Sequence, residues 1–268
     1  MEGGLVRLEK HQGIAYVTLS RPDKYNALNF DMFKAIDKAI KQLQQDKQLR
    51  LVILTGAGGN FSSGLDVKSL SKDPGKALNL LFKWLPGNAN LAQRVSLGWQ
   101  RLPVPVIAVI EGVCYGGGMQ IVLGADIRIA ADTAKLSIME AKWGLVPDMA
   151  GLAGLRQLVS KDQALKLTYT AEVLNADEAL SLGLVTEVAA EPMARAKALA
   201  EQIMQTSPDA CAAIKLSINR SWTASLRSLL SRESLSQVRL LLGRNRLIAA
   251  LRQTKDPQKP YRNRQPWW

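Results

Sequence analysis

A chain of 268 residues, 47% of them apolar, is long enough to bury a sizeable core. No apolar run reaches the roughly 18 residues of a membrane span, and two cysteines, Cys114 and Cys211, exclude a disulfide framework and any Cys/His metal spacing. The net charge of +12 is concentrated late: from Lys215 to the end, twelve Lys/Arg face two acids. That excess suits a nucleic-acid footprint, a phosphorylated ligand or a solvated helical face. No RNA-module signature accompanies it, and the aromatics do not alternate with the bases, so nucleic acid is the poorest fit. The start, Met1–Arg7, has neither a signal-peptide nor a transit pattern, which leads us to expect a cytoplasmic protein.

In chain order, Ile14–Leu19 reads as a strand and Arg21-Pro22-Asp23 as a turn. The single histidine, His11, lies beside Gly13 and reads as a turn residue. Asn29 is placed to cap a helix over Phe30–Gln45, with Met32, Phe33, Ile36, Ile40 and Leu43 on its core face. Leu51–Thr55 is a short buried strand, and strand–helix–strand at this spacing predicts α/β with parallel pairing. Residues 71–86 suggest a mobile loop with partial helix, followed by a helix to about Arg101. Then come a Pro105–Ile110 strand, a helix from Met119, two short strands at Ile127–Ala130 and Leu136–Ile138, and a late strand at Leu184–Val188. Residues 208–253 read as helices alone. The expected organisation is an α/β core over 1–205 and a helical C-terminal region with a basic tail over 206–268.

Several familiar chemistries fail on inspection. Gly56-Ala57-Gly58 follows a strand, but Phe61 stands where a dinucleotide fingerprint needs glycine. Gly59 and Gly64 have P-loop spacing, yet Leu65-Asp66 replaces the required Lys-Ser/Thr. His11 has no Gly-x-Ser-x-Gly elbow to serve. What remains is Gly116-Gly117-Gly118 between a strand and a helix. This is either a tight turn or a place where a ligand meets bare main-chain N–H groups at a helix N-terminus. Asn60–Lys68 is a second such strand end. Ser137–Asp148 sets Glu140 in an apolar run and Asp148 eight residues later, to be read as an exposed acid and a helix cap or as a functional pair.

Taken in order, these segments resemble the crotonase, or enoyl-CoA hydratase/isomerase, family. The resemblance runs through Arg21-Pro22 with Asn26-Ala27-Leu28, Phe61–Asp66, Gly116–Gly118, Ala125-Asp126-Ile127 and Glu140–Pro147. It ends in Ala176, Ala179, Gly183, Leu184 and Val185, and covers about residues 5 to 260. It implies a spiral of ββα units, a C-terminal helical trimerisation region, and a homo-trimer or dimer of trimers. It also implies an acyl-CoA thioester substrate and no cofactor beyond the coenzyme A of that substrate. The thioester oxygen would sit between the N–H groups of Leu65 and Gly117. Asp23, Lys24, Tyr25 and Ala27, with Ser63, Gly64, Asp66, Val67 and Lys68, align with segments that hold coenzyme A. Basic C-terminal residues would meet its phosphates.

Enolate chemistry follows, because removing a proton next to, or conjugated with, a thioester puts negative charge on that oxygen. Family hydratases use two glutamates, and the first aligns with Gln120, the second with Glu140. Glutamine orients water but exchanges no proton at neutral pH, which speaks against hydration. Asp148 aligns with an aspartate that family dienoyl-CoA isomerases pair with their equivalent of Glu140. The resulting expectation is an acyl-CoA double-bond isomerase, with Glu140 and Asp148 moving protons and Gln120 as a polar pocket residue. The alternatives are an enoyl-CoA hydratase, or a CoA-ester or RNA binder with little catalysis.

Overall fold

The computed structural model describes residues 4–71 and 73–268, so Met1–Gly3 of the start and Lys72 of the 71–86 stretch lie outside it. Strands β1 (Val6–His11) and β2 (Ile14–Leu19) form a hairpin, and His11 ends the first strand opposite Ile14 rather than occupying the turn. Helix α1 (Phe30–Gln45) leads to β3 (Leu51–Gly56), and α2 (Val67–Ser71), α3 (Pro74–Leu81) and α4 (Leu91–Arg101) precede β4 (Val106–Ile110). Next come β5 (Val113–Tyr115), α5 (Gly117–Val122), β6 (Ile127–Ala131) and β7 (Lys135–Ser137). A 3-10 turn over Glu140–Trp143 precedes α6 (Gly151–Leu158), α7 (Lys161–Thr170), β8 (Leu174–Asn175) and α8 (Ala176–Ser181). The chain continues with β9 (Glu187–Ala189), α9 (Pro192–Met204), α10 (Pro208–Ser221), α11 (Leu226–Leu241) and α12 (Arg244–Thr254).

Six strands form one sheet in the order β1-β2-β3-β4-β6-β9, and three short ones form a second in the order β5-β7-β8. In the large sheet only β1 and β2 pair antiparallel. Parallel strands need both faces covered, and the residue alternation of β3 and β4 does this. Val52, Leu54, Val106, Ala108 and Ile110 face the main core, while Leu51, Ile53, Ile107 and Val109 pack with Ala196 and Ala200 of α9. On the main-core side, Asn29 accepts the Met32 N–H at 2.8 Å and caps α1, which buries Met32, Phe33, Ile36, Ile40 and Leu43. Asp37, buried on the same helix, is paired with Arg94 of α4 and Lys41. Removing Arg94 would leave that carboxylate with Lys41 as its remaining cationic partner.

Several sequence expectations shift. The helix expected from Met119 begins two residues earlier, at Gly117, so that two of the glycines form its buried first turn. The late strand is β9 at Glu187–Ala189, because Leu184 and Val185 turn into the core instead. Strands β1, β5 and β8 carry too short or too polar a pattern to read from sequence. Residues 71–86 contain α3, capped by Asp73 accepting from the Lys76 N–H. Among the described residues, no helix is long and apolar enough to cross a membrane.

The basic C-terminal section is partly turned inward. Lys215 of α10 is buried, and its ammonium contacts the carbonyls of Trp99 and Val104 at 2.8 Å each and Asp126 Oδ2 at 2.7 Å. Asp126 also accepts the Val106 N–H at 2.8 Å, so one carboxylate joins the start of β4 to the last helices. Arg264, likewise buried, donates to the carbonyls of Trp268 and Asp46. These two cations hold the fold together and are not free to meet a phosphate.

Candidate active site

Both glycine-bearing strand ends meet at one cavity. The loop after β3 is fixed from below by Asn26, whose amide donates to the carbonyls of Ala57 and Asn60 and accepts the Arg21 N–H. Arg21 in turn reaches Asp66 at 2.7 Å. Burial acts to raise the Asp66 carboxyl, but the Arg21 hydrogen bond and the Ser69 N–H hold it below its ordinary value. Buried Ser62 donates to the Asn26 carbonyl and accepts the Gly64 N–H at 3.1 Å. The loop 62–65 is therefore tied at both ends.

Gly64 adopts φ +90°, a conformation that side-chain-bearing residues avoid, and a Cβ there would lie 2.8 Å from the Tyr115 carbonyl oxygen and 3.4 Å from the Gly117 nitrogen. The loop and the start of α5 thus touch through their backbones. Leu28 holds the other side, donating to the Gly64 carbonyl and accepting the Asp66 N–H. Leu65 and Gly117 both line the cavity, and among the described hydrogen bonds neither N–H has an acceptor. Gly117 opens α5, so the helix dipole adds to its N–H at the same point.

The opposite wall carries the acids. The cavity, about 340 Å³, is lined mainly by apolar side chains including Phe33, Leu80, Met139 and Met149, and both Glu140 and Asp148 reach it. Glu140 is buried in the 3-10 turn after β7. Its Oε1 accepts from Gln120 Nε2 at 2.6 Å, while Oε2 is buried with no partner. Burial pushes the Glu140 carboxyl above its ordinary value; the Gln120 hydrogen bond opposes this and the Asp148 charge adds to it. Asp148 is exposed at the rim and is likewise raised, by its partly desolvated position. It does not cap α6, because the residue before that helix is Ala150 in a left-handed conformation.

The segments expected to hold coenzyme A lie side by side. The Ser63 N–H donates to the Tyr25 carbonyl at 2.8 Å, and the Ser63 hydroxyl lies 3.4 Å from the Lys24 carbonyl. Ser63, Gly64 and Val67 line the cavity, while Asp23, Lys24, Tyr25 and Lys68 are exposed outside it. Ala27 accepts from Arg21, and Asp66 is taken up by the ion pair described above. Sequence reasoning gave no role to Arg21, Asn26 or Ser62 beyond a motif, nor to Met149; each has a deciding partner far along the chain, Asp66 for Arg21, Ala57 for Asn26, Asn26 for Ser62 and Gln120 for Met149.

Residues 9–240 match the Enoyl-CoA hydratase/isomerase family. The chain belongs to this family. It is 37% identical to the short-chain-enoyl-CoA hydratase of Clostridium acetobutylicum over 87% of this chain and 88% of that protein. The crystal structure of enoyl-CoA hydratase from Thermoplasma volcanium superimposes with a TM-score of 0.83 at 29% identity, covering 95% of this chain and 98% of that one. A Thermobifida fusca relative crystallised in complex with CoA has a TM-score of 0.76 at 29% identity, over 89% and 93% of the two chains. The crotonase-like α/β fold with its C-terminal helices is thereby established.

The isomerase expectation is overturned by the same comparisons. The hydratase description recurs among the similar proteins and structures, and none of these is described as a dienoyl-CoA isomerase. That expectation rested on counting acids, with Gln120 treated as a lost one and Asp148 as a family-specific gain. Gln120 is instead hydrogen-bonded to Glu140, and Asp148 stands exposed at the rim.

Proposed function

We propose that this protein is an enoyl-CoA hydratase, adding water across the double bond conjugated to an acyl-CoA thioester. The observation that carries the reading is the unpartnered Glu140 Oε2, buried in an apolar cavity whose other wall offers the free N–H groups of Leu65 and Gly117. Glu140 Oε2 takes a proton from the water as its oxygen bonds to the third carbon of the acyl chain. Charge moves to the thioester oxygen, where two N–H donors stabilise it; one such donor is typically worth about 3 kcal/mol. The proton then returns to the second carbon and Glu140 is regenerated. Burial among apolar side chains raises the basicity of Glu140, the direction that taking a proton from water needs.

The Ser63–Lys68 and Asp23–Ala27 segments, adjacent at the cavity edge, are proposed to carry the coenzyme A portion. The chain is proposed to assemble as a homo-trimer or dimer of trimers. In support, Ile214 and Ile218 of α10 and Trp222 at its C-cap form an exposed apolar row at helical spacing. Incubation with a 2-enoyl-CoA tests the activity. The expected product is heavier by one water, and a product of unchanged mass with shifted absorbance would return the assignment to isomerisation.

A further inference from the structure

Gln120 aligns with the first of the two glutamates of family hydratases, and its environment fixes both ends of its amide. Oε1 accepts two main-chain donors, the Met149 N–H at 2.8 Å and the Gly151 N–H at 3.0 Å. An NH2 group cannot accept these, so the amide cannot flip, and Nε2 must face Glu140 Oε1, where it lies at 2.6 Å. Glu140 Oε1 therefore accepts in every protonation state, and the ionisable proton of Glu140 resides on Oε2.

We infer that Gln120 is a positioning residue that makes Glu140 Oε2 the sole proton-exchanging oxygen of the buried wall and holds this centre to a single ionisation. The inference rests on the hydratase reading for its kinetic consequence only. A glutamate at 120 would keep the Met149 and Gly151 contacts through one oxygen. Its other oxygen would then press on Glu140 Oε1, and the two would have to share a proton. Glutamine meets the same backbone donors and avoids that coupling. The charged group acting on Glu140 is Asp148. Lys142 on its own turn is exposed, α5 carries no charged residue, and Arg156 of α6 is exposed. On α7, which packs against the turn, Lys161 is exposed, Lys166 pairs with Glu172 and Asp162 with Ser160.

The test is a carbon-13 NMR titration of the Glu140 carboxyl in the substrate-free protein, assigned with Glu140→Gln, alongside the pH profile of kcat/KM for 2-enoyl-CoA hydration. In Gln120→Met the donor to the carboxylate is lost, so the Glu140 midpoint and the rising limb of the profile should both move up by about one unit or more. In Gln120→Glu, which keeps the backbone contacts, Glu140 should titrate in two coupled steps. A midpoint unmoved in Gln120→Met, with rates depressed equally at all pH values, would reduce Gln120 to scaffolding and overturn the inference. So would a Gln120→Glu protein that titrates like wild type, the variant to rely on if Gln120→Met does not fold. Shifted midpoints without any hydration product would support the role of Gln120 and overturn the proposed activity.

Discussion

The wall of the cavity formed by Leu65 and Gly117 offers main-chain N–H groups, whereas the facing wall offers the side chains of Gln120, Glu140 and Asp148. The first wall tolerates changes of side chain as long as the backbone keeps its path, and leucine at 65 still presents its N–H. The second changes chemistry when one oxygen becomes an NH2. Fold and substrate class follow from the backbone wall, and the reaction is decided on the side-chain wall. The largest effect should accordingly come from the latter. Glu140→Gln keeps an acceptor for Gln120 but removes the exchangeable proton, and kcat for hydration should fall about 10³-fold, within the range of general acid–base catalysis. CoA-ester affinity should hold, and steady-state kinetics with a binding titration check both. A variant retaining more than a tenth of wild-type turnover would remove Glu140 from the centre of the mechanism.

Behind both walls, Asp126 links the strand β4 to Lys215. Asp126→Ala leaves a buried ammonium with two carbonyls and no countercharge, and should cost about 3 kcal/mol of stability. Denaturant unfolding reads this loss, and the folded fraction at low temperature should turn over within a few-fold of wild type. Activity falling further than stability would mean that α10 contributes to the cavity directly. On the backbone wall, Gly64→Ala places a Cβ at 2.8 Å from the Tyr115 carbonyl in a left-handed conformation. It should shift the Leu65 N–H and lower kcat about 10²-fold, the scale of one lost oxyanion donor. Wild-type kcat in this variant would show that the Leu65 donor is dispensable.

The difference between the walls also explains what could be read from sequence. Glycines at 64 and 116–118 are legible because a strand running into glycine has few structural meanings, and Asn29 with the apolar spacing of Phe30–Gln45 gave α1 to the residue. Strands β5 and β8 were not legible, since two or three residues carry no period. Glu140 was legible as a candidate, but its partner was not: the Gln120 contact spans twenty residues, and the Met149 and Gly151 donors are main-chain groups with no signature. Lys215 is a related case. Its charge suggested a ligand, and only the three-dimensional arrangement shows it satisfied by Trp99, Val104 and Asp126.

The smallest effect separates the cost of the acid wall from its use. Both Glu140 and Asp148 have carboxyl pKa values raised in the folded chain, chiefly by removal from water. A raised carboxyl means that the folded state binds more protons than the unfolded one across the interval between the two pKa values. Its stabilising contribution is full below the unfolded pKa and is lost as pH rises through the folded one. Wild type should therefore lose stability relative to Glu140→Gln as pH increases, since the variant carries no charge to desolvate. Melting temperatures of both proteins at pH 4.5 and pH 8 measure this, and the gap should widen toward pH 8 in favour of the less active protein. Asp148→Asn should show the same sign with a smaller gap, because Asp148 is exposed at the rim. A gap independent of pH would mean that Glu140 is hydrated in the folded state, and its raised basicity would then need a source other than burial.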